Sequence, residues 1–502
     1  MKTQALVVFV VLFALVTVLG FVAARWRAGD LALLEEWGLA GRKFGTVVTW
    51  FLLGGDLYTA YTFIAVPAVV FGTGAIGLFA VPYTIIVYPL VFIVMPRLWR
   101  VAKERGHVTP ADYVRERFDS RFLALLVAIT GIIATMPYIA LQIFGMQVVL
   151  TQMGVPSLSV ALAGLKLALD LPLIAAFLVL AVFTYVSGLR APALIALVKD
   201  TLIYITVLVA VIYIPLKLGG YGAVFSKVPP ARLTLAPAQY GAYATLALGS
   251  ALALFLYPHA LTGIFSSSSQ RVIRRNAALL PAYSLMLGLL AILGYFLFAA
   301  GLKPSNPNLA IPLLFDRMFP SWFTGFAFAA IAIGALVPAS VMSIAAANLF
   351  NRNIWREYIR PRETPQEESN VSRVVSLLVK VGALLFIIIA PTQFALTFQL
   401  AGGVIIIQTL PAVLLALYVR WLNKWAVILG WFAGTAWGIW LLYDGGYKAS
   451  ALHALQIPGI AKTGPLYIAL MSFLLNLAVV LVGSALAFIA APRAAPRREL
   501  AA

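Results

Sequence analysis

Long apolar runs constrain this chain more than anything else in it. About thirteen stretches, near 5–24, 45–71, 76–97, 122–150, 172–189, 192–216, 242–265, 277–300, 323–350, 374–395, 397–419, 424–444 and 465–490, each approach or exceed the roughly twenty residues that cross a bilayer core as a helix. Backbone groups in hydrocarbon must be satisfied within the segment, which leaves helices or a closed barrel. Barrel strands alternate in polarity, and runs such as Ala175 to Val182 do not. The expected fold class is therefore an all-α polytopic membrane protein. A composition of 63% hydrophobic and 11% charged residues agrees, being far from that of chains that fold in water.

The loops between the runs set an orientation. With the N-terminus outside, 25 of the 36 Lys and Arg residues fall in cytoplasmic segments, including Arg97 to Arg121, Arg352 to Arg373 and the tail. Basic loops are retained inside, and an odd number of spans then places the C-terminus inside as well. The expected location is the plasma membrane. Met1 to Arg27 reads as a first transmembrane helix because its apolar run is too long for a signal peptide.

The same distribution weighs against nucleic acid as a partner: the net charge of +19 is dispersed over many short loops instead of forming one basic patch. With no Cys and three scattered His, no metal-ligand or catalytic spacing is present. No cofactor and no enzyme activity is expected. Nor does any span repeat polar residues at helical spacing, as a channel lining would. Lipid at the basic loops is a further expected partner.

Two irregularities stand out. The second run contains Gly54-Gly55-Asp56-Leu57-Tyr58, where paired glycines weaken the helix and a carboxylate lies deep in apolar sequence. The seventh contains Tyr257-Pro258-His259, where proline removes a backbone donor. With the first run set aside, these two open successive groups of five helices. Interrupted helices at corresponding positions of two halves point to a solute and ion site at mid-membrane.

These residues resemble the sodium:solute symporter family. The resemblance covers about 40 to 445 and runs through Gly41-Arg42-Lys43, Gly54 to Thr62, His107 to Tyr113 with Arg117-Phe118, and Ala134 to Gln142. It continues through Gly188-Leu189-Arg190-Ala191 with Asp200, Tyr257-Pro258-His259 with Arg274-Arg275-Asn276, and Ser340 to Phe350. Within the family the chain is most similar to prokaryotic monocarboxylate permeases, with proline-type carriers as the alternative. The resemblance implies a five-plus-five inverted-repeat core over 41–445, with repeats near 45–216 and 242–419 and an added helix at 424–444. A first helix and loop over 1–40 precede the core, and a last helix with a short basic tail over 446–502 follows it. The implied function is cation-coupled symport of a small organic anion or amino acid by alternating access.

The resemblance also assigns a sodium site to backbone carbonyls at Gly54, Leu57 and Ser340 and the Ser343 hydroxyl. Ile344 stands where many sodium-coupled relatives carry a second hydroxyl. A hard cation needs an oxygen-rich shell, so the coupling ion stays open between Na⁺ and H⁺. Asp56 matches an acidic residue of the proline carriers and is the expected coupling carboxylate. Tyr58, Tyr61, Tyr138, Gln142, Tyr257 and His259 are the expected solute contacts.

Structural readings stand beside these. Asp56 is also a candidate N-cap, Ser343 a candidate donor to its own i−4 carbonyl, His259 a core histidine, and Tyr58 and Tyr61 packing aromatics. Asp200 beside Lys199 reads as a structural pair. Thr109 to Arg117 reads as a capped amphipathic helix, while Ser266 to Ser269 and Arg360 to Asn370 read as polar loops.

Overall fold

The computed structural model describes residues 3–23, 30, 33–56, 58–155, 160–162, 165–167, scattered positions in 174–187, 188–389, 395–445, 451–455 and 464–490. Leu57, half of the span expected at 172–189, and the basic tail lie outside the described residues.

Among the described residues, ten helices are long and apolar enough to cross a membrane, or eleven if one bent pair counts as a span. The helices used below are α1 (Thr3–Ala23), α2 (Leu34–Leu39), α3 (Thr46–Gly55), α4 (Val66–Thr73), α5 (Ala80–Arg105), α6 (Pro110–Phe118) and α7 (Arg121–Gln152). They continue with α8 (Arg190–Lys217), α9 (Tyr240–Leu254), α10 (Pro258–Phe265), α11 (Gln270–Leu279), α12 (Pro281–Ala299) and α13 (Ser321–Phe350). The last four are α14 (Pro365–Ile389), α15 (Leu396–Ile406), α16 (Lys424–Asp444) and α17 (Ile468–Ala490). Two small antiparallel hairpins, Val160–Leu162 with Leu165–Leu167 and Leu452–Ala454 with Pro465–Tyr467, are the only strands among the described residues.

Burial sorts these helices into a centre and a rim. The most apolar window of α13 is wholly buried, whereas 22% of the corresponding window is buried in α1 and in α17. A helix that is apolar all round yet shielded by protein is the centre of a bundle. At the rim, Gly430, Gly434 and Gly438 repeat every four residues along α16 and receive Asn476 and Ser472 of α17 against their backbone. Small residues at that spacing let membrane helices approach closely where burial from water offers no drive.

Both irregular runs are broken helices. The run at 45–71 is α3, then an irregular stretch, then a π-helical turn over Tyr61–Ala65 leading into α4. The run at 242–265 is α9 and α10, bent by 48° at Phe255 to Tyr257. Pro258 occupies the first turn of α10, where its missing N–H costs nothing. The two broken spans touch at two levels. Phe44 donates to the Ser266 carbonyl at 3.2 Å and accepts from Ser268 at 2.9 Å, and twelve residues on from Phe44, Asp56 faces His259. The chain passes between those levels in opposite directions, so α3 and α10 are antiparallel.

One face of the bundle is latched by charged groups from distant segments. Arg42 bonds Glu35 at 2.7 Å and the His107 carbonyl at 2.5 Å. Glu36 accepts from Lys43 at 2.9 Å and from the buried Arg190. Gly41 has φ of 64°, and a Cβ there would lie 2.3 Å from the Glu36 carboxylate. Thr109 caps α6 through the Asp112 N–H, and its hydroxyl reaches Asn353 at 2.7 Å. Two of the polar loops read from sequence are ordered structure. Ser266 and Ser267 are buried against Phe44 and Ser269 caps α11, while Thr364 and Glu367 cap each other's backbone so that helix begins at Pro365.

Burial disfavours the charge of Glu36, but the hydrogen bonds from Lys43 and Arg190 outweigh it and hold the carboxyl below its usual value near 4.5. A folded-state pKa below the unfolded one contributes stability that is present above the unfolded value and lost as pH falls through the folded one. Melting curves of the purified protein should therefore drop below about pH 4.5. Glu36→Ala strands Arg190 without its carboxylate, and should cost about 3 kcal/mol at neutral pH while flattening that acid dependence.

Candidate functional site

A break inside a membrane helix frees backbone donors and acceptors that lipid cannot satisfy. Between α3 and α4 several of these groups are met by side chains. The Lys199 ammonium, on α8, donates to the Gly55 carbonyl at 2.6 Å and the Tyr58 carbonyl at 3.1 Å. Gln142, on α7, accepts from the Ala60 N–H at 3.0 Å through its side-chain carbonyl. Thr59 accepts from the Tyr61 N–H at 3.0 Å, so Thr59 and not Asp56 supplies the side-chain acceptor for the second half of the span. Asp56 instead ends α3.

The paired glycines have separate uses. A Cβ at Gly54 would lie 2.0 Å from the Tyr283 ring, and one at Gly55 would lie 2.8 Å from the Lys199 nitrogen. Gly54 thus admits an aromatic ring from α12 and Gly55 admits the ammonium. Tyr283 donates to Asp200 at 2.7 Å, and Lys199 stands 3.0 Å from the other oxygen of the same carboxylate. Both members of that ion pair are wholly buried. Tyr58 packs into this cluster, with ring centres 4.6 Å from Tyr283 and 5.7 Å from Tyr204.

A second group forms where the two broken spans face each other. The Asp56 carboxylate is 3.6 Å from His259 Nε2, close enough for charge to be felt but beyond a hydrogen bond. The other ring nitrogen of His259 is buried with no hydrogen-bond partner. The rings of Tyr138, Tyr257 and His259 stand 5.3 Å from one another. Tyr257 donates to the Gln399 carbonyl at 3.1 Å, and both side-chain polar atoms of Gln399 are buried without partners. Buried polar atoms left unmatched among matched ones mark a place where a polar ligand would be held.

The expected solute contacts therefore separate into four places. Tyr138, Tyr257 and His259 join Asp56. Tyr58 belongs to the Lys199–Asp200 cluster, and Tyr61 packs against Tyr83 at 6.1 Å. Gln142 is committed to the backbone of the break. Of the residues assigned to sodium, Gly54 offers a carbonyl that already accepts from Tyr58 N–H at 3.2 Å, and Leu57 lies outside the described residues. Ser340 and Ser343 donate to the Leu336 and Ala339 carbonyls at 2.9 and 2.6 Å. Leu52 and Val341, next to these positions, share one small apolar cluster. Ile344 is fully buried. Among the described residues, no cluster of His, Asp and Glu could hold a metal ion.

Sequence reasoning missed the reach of Lys199, and the parts played by Tyr283, Tyr204, Thr59 and Gln399. Lys199 carried a signal, an ionisable group within an apolar run. The others look like ordinary residues until the break needs partners.

Comparison with known proteins assigns this architecture. Residues 37–434 match the model of the sodium:solute symporter family. The chain belongs to that family. This symporter is 55% identical over 490 residues to a monocarboxylate transport permease of Rhizobium johnstonii, covering 96% of each chain. It is 36% identical over 439 residues to an uncharacterized symporter of Bacillus subtilis, covering 86% of each. A Na⁺-coupled sialic acid symporter in a substrate-bound, outward-open state has the same fold, with a TM-score of 0.73 at 15% identity over 97% of this chain and 98% of that one. The symporter is thus a multi-pass membrane protein and a secondary active transporter of a small organic solute, driven by a coupling cation.

The two glycines make a direct test of the broken span. Gly54→Ala should abolish transport because its Cβ overlaps the Tyr283 ring, and Tyr283→Leu in the same chain should restore a measurable part. Uptake normalised to folded protein in the membrane distinguishes this from loss of expression.

Proposed function

We propose that this symporter carries a monocarboxylate, such as lactate or pyruvate, together with a cation by alternating access. The observation that carries the reading is the meeting of Asp56, His259, Tyr138 and Tyr257 at the junction of the two broken spans. The 55% identity to a monocarboxylate permease along nearly the whole chain supports the solute class.

In this reading the N-terminus is outside, the C-terminus inside, and the latched basic face is cytoplasmic. About thirteen spans are arranged as an inverted pair of five-helix repeats, near 45–216 and 242–419, and the antiparallel contact of α3 with α10 supports that pairing. The solute lies by Tyr138, Tyr257 and His259, with its carboxylate toward the start of α10, where the first N–H groups of the helix are free. Tyr58, Tyr61 and Gln142 shape the walls and the break. The coupling ion is Na⁺ at Gly54, Leu57, Ser340 and Ser343, or H⁺ with Asp56 as the coupling carboxylate. Ion and solute each favour the same closed arrangement, so each raises the affinity of the other.

Purified protein in proteoliposomes should accumulate radiolabelled lactate when an inward cation gradient is imposed, and unlabelled pyruvate should compete. Asp56→Ala should reduce uptake by at least about tenfold without loss of folded protein, consistent with the loss of one charged contact. Ser343→Ala should reduce it if Na⁺ uses that hydroxyl. Accumulation of proline in place of lactate would replace the solute reading and keep the carrier.

A further inference from the structure

The ion question turns on Lys199. An intramembrane lysine is costly unless its charge is paired and its donors are used. An ammonium has three donors and no acceptor. Lys199 uses two of them, on the Gly55 carbonyl at 2.6 Å and the Tyr58 carbonyl at 3.1 Å, and its charge is paired with the Asp200 carboxylate 3.0 Å away. The side chain is wholly buried.

Two of those acceptors are carbonyls of the unwound segment. Such carbonyls are what a broken span offers a cation. A tethered ammonium held by them brings the positive charge, the hydrogen-bonding capacity and the stiffening of the break that a bound alkali ion would bring. Asp200 supplies the balancing charge and is itself fixed by Tyr283. Gly55 carries no side chain where the ammonium approaches. Beside this, the helix expected to complete a sodium shell presents Ile344 next to Ser343, so only one side-chain hydroxyl is offered at that pair of positions. A second monovalent cation at the same break would meet the charge of Lys199 with little oxygen to offset it.

We propose that the Lys199 ammonium is a built-in cation that holds the first broken span in its solute-binding form, so that solute binding and exchange do not require Na⁺. The proposal rests on the reading of the chain as a carrier of an organic solute and concerns only its ion. Lys199 is in this sense a positioning residue, acting on the solute through the backbone it holds.

Two measurements on the purified full-length protein test it. In thermal unfolding, the wild type should melt at the same temperature in sodium chloride and in N-methylglucamine chloride of equal ionic strength. A melting temperature that rises with Na⁺ concentration in the wild type would overturn the proposal. In lactate counterflow, which needs no ion gradient, the wild-type rate should be equal in the two media, and Lys199→Met should lower it by at least about tenfold in both. Counterflow that depends on Na⁺ in the wild type, or that survives Lys199→Met unchanged, would overturn it. Wild-type protein that exchanges lactate in neither medium contradicts the solute reading instead, and the melting comparison then decides the ion proposal alone. Where Lys199→Met does not fold, the wild-type comparison decides both measurements.

Discussion

A helix interrupted inside a membrane leaves backbone groups that neither water nor lipid can satisfy, and the rest of this structure is arranged around meeting that demand. The Gly55 and Tyr58 carbonyls take the Lys199 ammonium, the Ala60 N–H takes Gln142, and the Tyr61 N–H takes Thr59. Each partner comes from a different place: α8, α7 and the break itself. Those helices must therefore stay in register with the break, which ties the site to the packing of the bundle. The cost of burying Lys199 and Asp200 is offset in the same way, since each is a partner of the other and of groups that would otherwise be unmatched.

The second broken span adds what the first lacks. Proline at the start of α10 and the bend before it place His259 opposite Asp56 and bring Tyr257 beside Tyr138. The resulting group is aromatic on its walls and has few polar atoms, some of them unmatched, the character expected of a small-solute site. At the basic face, Arg42, Arg190, Glu36 and Thr109 join segments far apart in the chain. Many of the positions through which the sequence resembles the sodium:solute symporters belong to this latch and to the two breaks, not to the general apolar surface.

Much of this was legible in the sequence, for physical reasons. Runs of about twenty apolar residues leave no alternative to membrane helices, and Gly54-Gly55 and Pro258 announced the two breaks because glycine and proline act through the backbone itself. The Thr109 cap of α6 was equally local. What could not be read was the choice of partner across the fold. Gln142 reads as a solute contact because a buried amide needs a use, and nothing local shows that its carbonyl oxygen accepts from the Ala60 N–H. Lys199 and Asp200 read as a pair closed on itself, whereas the pair opens onto the broken span and Tyr283. Ser266 to Ser269 looked like a polar loop, and two of the four are buried against Phe44. Local composition tells which groups need partners; only the packing says which partner each one finds.

In the proposed alternating-access cycle, the solute site beside the break between α3 and α4 opens to each side in turn. The chain contains no cysteine, so a single Thr59→Cys substitution gives a thiol at the break with no background. Its modification by a membrane-impermeant maleimide can be timed from either side of oriented vesicles. Alternating access predicts that the thiol is reached from the two sides in mutually exclusive populations, and that lactate slows modification from both. A thiol modified at the same rate with and without lactate, or open to both sides at once, would contradict it.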